Sequence, residues 1–484
     1  MNIESPRHAV TPLVIAVGLL AACSTPVAGK ASPLGALDPG SVAGLAVTNG
    51  PSGPRAGAPD TGLTAEGSDG GQMDRLALNT ISDVDDYWAE QLPKVFNTQF
   101  RPVDRLNSYD SDGPARELCE TSTARLVNAF YCNVDNSVSW DRGELLPQLT
   151  QAFGPLSVTM VLAHEMGHAI QYQLGPASGV SKSTPSIVLE QQADCYAGGF
   201  FRYVAEGKAK HFEMSTGDGL NKVLATTFSV RDPAGGSFKD QTAHGSAFDR
   251  VYAFQAGFTD GPKRCAQINQ SEITKRATES TFLTEKDRNQ GGNEPINEKN
   301  LEVIEQALKD VFGKKLTTTP TFGASARACS DAQTTSPASY CPSTNMISLD
   351  VPKLTEIGTP PVRGQGTGIG DFAAFGEIVS RYALAVLKSA NLSLTGTSAA
   401  LQTACLVGAW GAAMKLPSGK KQPDSGKAAL TAGDLDKAIA ELLRDNSLIA
   451  ADVDGKPAAA GFARVEALRI GYLQGMDTCT QQFS

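Results

Sequence analysis

The stretch Val161-Leu162-Ala163-His164-Glu165-Met166-Gly167-His168-Ala169-Ile170-Gln171 decides how this chain is read, together with Leu189-Glu190-Gln191-Gln192-Ala193-Asp194 downstream. The first run carries H-E-x-x-H inside an apolar-periodic segment, which predicts a helix. Residues i and i+4 share one helix face, so the imidazoles of His164 and His168 can reach a single metal ion. The second run repeats the one-turn spacing with two carboxylates, Glu190 and Asp194. Two histidines and a glutamate make a three-ligand zinc set that leaves a fourth position for water. Glu165, beside the first ligand, is placed to take a proton from that water, whose pKa zinc lowers to about 7. Gly167 leaves room for close packing behind the helix. One zinc ion is the expected cofactor and hydrolysis the expected chemistry.

Either carboxylate of the second run could be the third ligand. With Glu190 on the metal, Asp194 lies one turn on and can accept the other N–H of a ligand histidine, fixing its tautomer. A chance H-E-x-x-H on a surface helix would lack the apolar flanks and the second motif. Histidine is also scarce here, with five in the chain.

Around this motif the chain is unremarkable. It has 484 residues, enough for two ordinary domains, with 41% apolar residues and a net charge of −9. No basic cluster stands out, which argues against nucleic-acid binding. Pro12 to Ala22 reads as the apolar core of an export signal, ending in Leu20-Ala21-Ala22-Cys23, which resembles a bacterial lipobox. Residues 1–22 are therefore expected to be a lipoprotein signal peptide, with Cys23 as the lipidated anchor holding the protein on the extracytoplasmic face of the membrane. Residues 23–76, rich in Gly, Pro, Ala and Ser, are expected to be a flexible tether.

The remaining eight of nine cysteines fall into two sets of four. Cys132 to Cys341 is 209 residues, Cys195 to Cys405 is 210 and Cys265 to Cys479 is 214. Flanking residues repeat as well. Tyr131-Cys132 parallels Tyr340-Cys341, Cys195-Tyr196-Ala197-Gly198 parallels Cys405-Leu406-Val407-Gly408, and Phe248-Asp249-Arg250-Val251 parallels Phe462-Ala463-Arg464-Val465. We expect two copies of one domain, 77–283 and 297–484, joined by a polar linker, 284–296. Each copy should close its own disulfides: Cys119–Cys132, Cys195–Cys265, Cys329–Cys341 and Cys405–Cys479.

Helical periodicity runs through 81–96, 156–174, 186–206, 247–258, 300–312, 372–390, 397–414, 433–445 and 459–473, with short strands near 136–140 and 346–349. The fold class is α+β, mostly α, with a small sheet in each copy.

The second copy lacks the chemistry. Phe375-Gly376-Glu377-Ile378-Val379-Ser380-Arg381 stands where the zinc-helix motif would be, Ala400 and Ala404 take the slots of Glu190 and Asp194, and no histidine follows His244. Such a copy could wall the substrate cleft or bind a separate envelope partner.

Taken together, Tyr131-Cys132 with Asp135 and Asp141, AHEMGHAIQ, LEQQADCYAG, and His244-Gly245-Ser246 with Arg250 resemble the neutral zinc metallopeptidase family of bacteria, over about 119–265. Among its members, envelope lipoproteins of actinobacteria are the most similar. The resemblance implies a secreted or membrane-bound, gluzincin-like peptidase acting on proteins or peptides, with Glu190 on the metal and Asp194 behind it. It makes His244 a candidate oxyanion stabiliser, with a capping or core role as the other reading. Arg250 is expected to be structural, because Arg464 persists in the second copy. His211, in a basic stretch expected to be solvated, is given no role. Two other functions stay open: a scaffold or binding lipoprotein with a structural zinc, and a hydrolase of peptidoglycan cross-links.

Overall fold

The computed structural model describes residues 40–240, 243–276, 278, 281–323, 328–361, 368–416 and 423–483. The expected signal peptide and Cys23 lie outside them. Six helices matter in the first half: α1 (Gln72–Gln91), α2 (Leu145–Phe153), α3 (Leu156–Leu174), α4 (Ser186–Ala205), α5 (Asp218–Ser229) and α6 (Ala247–Asp260). Three strands accompany them, β1 (Arg105–Tyr109), β2 (Ala129–Cys132) and β3 (Ser137–Asp141). They form a sheet in the order β1-β3-β2, with β1 parallel and β2 antiparallel to β3. The fold class is α+β and mostly α.

In the second half, α7 (Glu298–Phe312) precedes α8 (Val351–Gly358), α9 (Asp371–Ser389), α10 (Gly396–Ala413), α11 (Asp434–Leu442) and α12 (Gly461–Gln474). Strands β4 (Thr321–Gly323), β5 (Ala338–Cys341) and β6 (Met346–Leu349) form a sheet in the order β4-β6-β5. There β4 is parallel and β5 antiparallel to β6. The two sheets thus have the same order and the same senses. The four disulfides pair Cys119 with Cys132, Cys195 with Cys265, Cys329 with Cys341 and Cys405 with Cys479, so each half closes its own.

Helix packing follows from where side chains are missing. A Cβ at Gly198 would overlap the carbonyl oxygen of Phe254, and one at Gly257 that of Cys195, so α4 and α6 cross backbone to backbone. Gly408 and Gly471 stand against Leu468 and Cys405 in the same way, bringing α10 onto α12. At Gly167, a Cβ would press on Ala193, and this closeness holds α3 against α4. On the other side, α1 packs its buried Leu76, Ile81, Val84 and Trp88 inward, and Thr80 meets Thr159 of α3 at 3.1 Å.

The described residues form one compact unit. Between the halves, Gln255 Nε2 donates to the Phe462 carbonyl at 2.8 Å, and Gly461 N donates to Asn221 Oδ1 at 2.7 Å. The rings of Phe258 and Phe462 lie 5.2 Å apart at the same seam.

Two expectations need correction. Residues 40–71, assigned to a flexible tether, are a strap on the first half. Val42 is buried, Gly53–Pro54 pair with Phe212–Glu213, and Thr48 and Ser52 hydrogen-bond to Thr216 and Ser215. Backbone pairing to a folded neighbour stabilises a segment whose composition could not fold alone. His211 is likewise not solvated: it is buried, and Asp83 accepts from its backbone N–H at 2.9 Å and contacts its ring Nδ1 at 2.7 Å.

Candidate metal centre

The H-E-x-x-H run forms the middle of α3. His164 and His168 stand one turn apart with ring centroids at 4.9 Å and planes nearly perpendicular, at 89°. Glu190 enters from α4. Its Oε2 lies 3.2 Å from His164 Nε2 and its Oε1 lies 3.4 Å from His168 Nε2. One ligand atom from each of the three residues falls within 4.8 Å of the others.

The outer ring nitrogens have partners of their own. Asp194 Oδ1 sits 2.8 Å from His164 Nδ1, and Gln171 Oε1 sits 2.9 Å from His168 Nδ1. Each acceptor favours the tautomer with hydrogen on Nδ1, which leaves the Nε2 lone pairs facing Glu190. Asp194 is itself gripped by Arg250, whose Nε and Nη2 donate at 2.8 Å to its two oxygens. Gln171 Nε2 donates to the Leu189 carbonyl and to Gln192 Oε1. Gln192 in turn donates to the carbonyls of Ser178 and Ile268, both at 3.0 Å.

These residues fit a zinc ion. Two neutral imidazoles and a carboxylate are the donor types zinc takes, and Glu190 Oε2 is buried with no hydrogen-bond partner in the protein. A buried carboxylate oxygen left in that state is costly, and a cation at the focus of the three ligands would satisfy it. The second cluster of potential ligands among the described residues, Cys329, Asp331 and Cys341, is different: its two sulfurs are joined to each other.

Charges within the centre act strongly on one another. Burial disfavours the imidazolium of His164, but the carboxylates of Asp194 and Glu190 outweigh it and push its pKa up to about 10. Burial raises Glu190, yet the imidazoles of His164 and His168 facing its carboxylate hold it well below the usual carboxylate range. Burial also raises Glu165, against the pull of the two histidines. Ligation requires both imidazoles neutral, so metal affinity should fall at low pH.

The centre floors a cleft of 440 Å³ lined by His164, Glu165, His168, Glu190, Tyr131 and His244, among others. Glu165 Oε2 accepts from the backbone N–H of Tyr131 in β2 at 2.9 Å. His244 is half exposed on the cleft wall, with its Nδ1 3.2 Å from Asp232 Oδ1. Asp232 Oδ2 also accepts from the backbone N–H groups of His244 and Gly245, both at 2.7 Å. Gly245 sits at φ 108°, a conformation that favours glycine, and this lets the chain wrap Asp232.

The model of the family described as "Putative neutral zinc metallopeptidase" matches residues 31–269. That part of the chain belongs to this family. All the residues of the centre lie inside the matched span. The uncharacterized protein Rv2575 of Mycobacterium tuberculosis is 29% identical over 216 residues, covering 40% of this chain and 70% of its own. The uncharacterized protein YpfJ of Escherichia coli K12 is 26% identical over 210 residues, with the same coverage. No solved structure matches the chain.

Sequence reasoning missed Gln171, Gln192 and Asp232 and undervalued Arg250. Amides and a lone Asp carry no motif by themselves. The one available signal was spacing, because Gln171 follows His168 by three residues and so shares its face.

Proposed function

We propose that this protein is a zinc-dependent endopeptidase, anchored through lipidated Cys23 at the cell envelope, whose active centre is His164, His168 and Glu190 with Glu165 as general base. The observation that carries the reading is the convergence of two Nε2 atoms and an unsatisfied carboxylate oxygen at the floor of an open cleft. Zinc, when bound there, supplies Lewis acidity toward a water and a substrate carbonyl. Glu165 spends one oxygen on the Tyr131 N–H and keeps the other for a proton, and burial shifts its pKa toward working pH. Asp194 and Gln171 hold the ligand rings, and Arg250 keeps Asp194 ionised, its carboxyl pulled below the usual range against burial. Asp232 orients His244 at the cleft wall, where its Nε2 can donate to a developing oxyanion.

The strand edge favours a peptide substrate. β2 is an edge strand, and Tyr131 directs its N–H away from β3 into the cleft. An extended peptide can add alongside such an edge. A structural zinc would be closed by a fourth protein ligand, and the cluster among the described residues holds three. The apolar leader ending at Cys23 supports the envelope location.

We read the second half as a degenerate copy of the first, supported by the matching sheets, disulfides and glycine crossings. The decisive experiment is cleavage of a diverse peptide library by protein carrying one zinc per chain, with and without chelator. Cleavage lost on chelation and restored by zinc is expected; chelator-insensitive cleavage, or none with zinc bound, overturns the reading. Cys23→Ser should move the protein out of the membrane fraction.

A further inference from the structure

Among the described residues, four large hydrophobic side chains are exposed: Val127, Val134, Tyr172 and Leu473. Three of them lie close in sequence to residues that line the cleft. Val127 and Val134 each lie two residues beyond an end of β2, and Tyr172 stands on α3 one turn past His168, 60% exposed. Its ring centroid lies 6.3 Å from that of Tyr131, a cleft residue whose hydroxyl donates to Asn136 Oδ1 at 3.1 Å. The two rings form an aromatic shelf that continues the cleft beyond the metal centre. On the opposite side of the centre the cleft is lined by Leu145, Met160 and Val161. Apart from the three metal ligands, Glu165, Arg250 and His244, the residues lining the cleft carry no charged side chain.

The distances suit a chain in extended form. Val161 and Tyr172 are eleven residues apart on one helix, about 16 Å at 1.5 Å per residue, which roughly five extended residues span. The ligand histidines lie between them. Exposed apolar groups clustered at a cleft mark a binding surface, and the free edge of β2 beside them fits a polypeptide backbone.

Resting on the peptidase reading, we infer that the cleft selects extended polypeptide segments with apolar side chains on both sides of the scissile bond, one entering the Leu145, Met160 and Val161 pocket and one lying on the Tyr131 and Tyr172 shelf. Polar cross-bridges of a cell wall do not match these walls.

The test is binding of fluorescent hexapeptides to zinc-loaded Glu165→Gln protein, which reads the subsites without turnover. Peptides with Leu or Phe at both flanking positions are expected to bind at least tenfold more tightly than their Ser counterparts. Adding Tyr172→Ser, on an exposed position where folding and zinc content should persist, is expected to erase most of the advantage at one flank only. Equal affinity for apolar and Ser peptides, or no change on Tyr172→Ser, overturns the inference. Apolar peptides that bind as expected but resist the native enzyme leave the subsites standing and overturn the peptidase reading instead.

Discussion

The two halves hold one arginine in the same place, and its fate differs. Arg250 on α6 and Arg464 on α12 each donate from Nη1 to a backbone carbonyl 20 residues earlier, of Val230 and Arg444. Arg250 also clamps Asp194, and that carboxylate outweighs burial to raise its pKa. In the second half Ala404 precedes Cys405 as Asp194 precedes Cys195; Arg464 Nε has no partner, and burial lowers its pKa. The arginine thus has two separable jobs. Tying the helix to the preceding loop survives in both halves, and orienting a metal ligand survives in one.

The loop before that last helix differs just as sharply. In the first half, Val230 and His244 line the open cleft. In the second half, Ser447 to Asp452 are buried. Arg381 donates to the carbonyls of Leu448, Ala451 and Asp452, Thr403 donates to those of Ile449 and Ala451, and Leu448 N donates to Glu377. The first half keeps an open cleft before its α6, whereas the segment before α12 is packed into the interior of the second half.

This contrast can be broken or sharpened. Glu165→Gln should lower peptide cleavage by about 10²–10⁴-fold while zinc content, measured by metal analysis, stays at one per chain; substantial residual activity would remove Glu165 as base. Arg381→Ala should cost on the order of 3 kcal/mol in denaturant unfolding, because it strips three buried carbonyls of their donor; zinc affinity should not move. Asp194→Ala makes the first half resemble the second, and zinc affinity by competition with a chelator should fall about 10–100-fold with the fold retained.

The smallest effect concerns pH. Glu466 on α12 is buried at the seam between the halves, and burial pushes its pKa up to about 7, against Arg469. A carboxyl raised in the folded state ionises first in the unfolded chain. Its contribution to stability is therefore full below about 4.5 and is lost as pH rises toward 7. Glu466→Gln should flatten stability across that window, removing a slope of about 1.4 kcal/mol per pH unit at most; an unchanged slope would show that Glu466 is ionised in the folded protein.

Much of this was legible because it is local. Helix α3 spans the predicted 156–174, and α4, α6, α9 and α10 begin or end within two residues of expectation, since apolar periodicity and the motifs lie on the same segments. The ligand set could be read from spacing because i, i+4 geometry is a property of one helix. The parallel strands β1 and β4 were not legible: Arg-Leu-Asn-Ser-Tyr has weak alternation, and its partner lies far along the chain. The strap 40–71, the burial of His211 and the hold of Asp232 on His244 depend in the same way on partners elsewhere in the sequence, which composition cannot report.

The glycine crossings carry a further consequence. Where α4 meets α6 the two main chains touch with no side chain between them, beside the Cys195–Cys265 bond. Side-chain rotamers fluctuate, but a main-chain contact has nothing to rotate. Glu190 and Asp194 ride on the same rigid helix, so the joint sets the alignment of the metal ligands like a machined seat rather than a cushion.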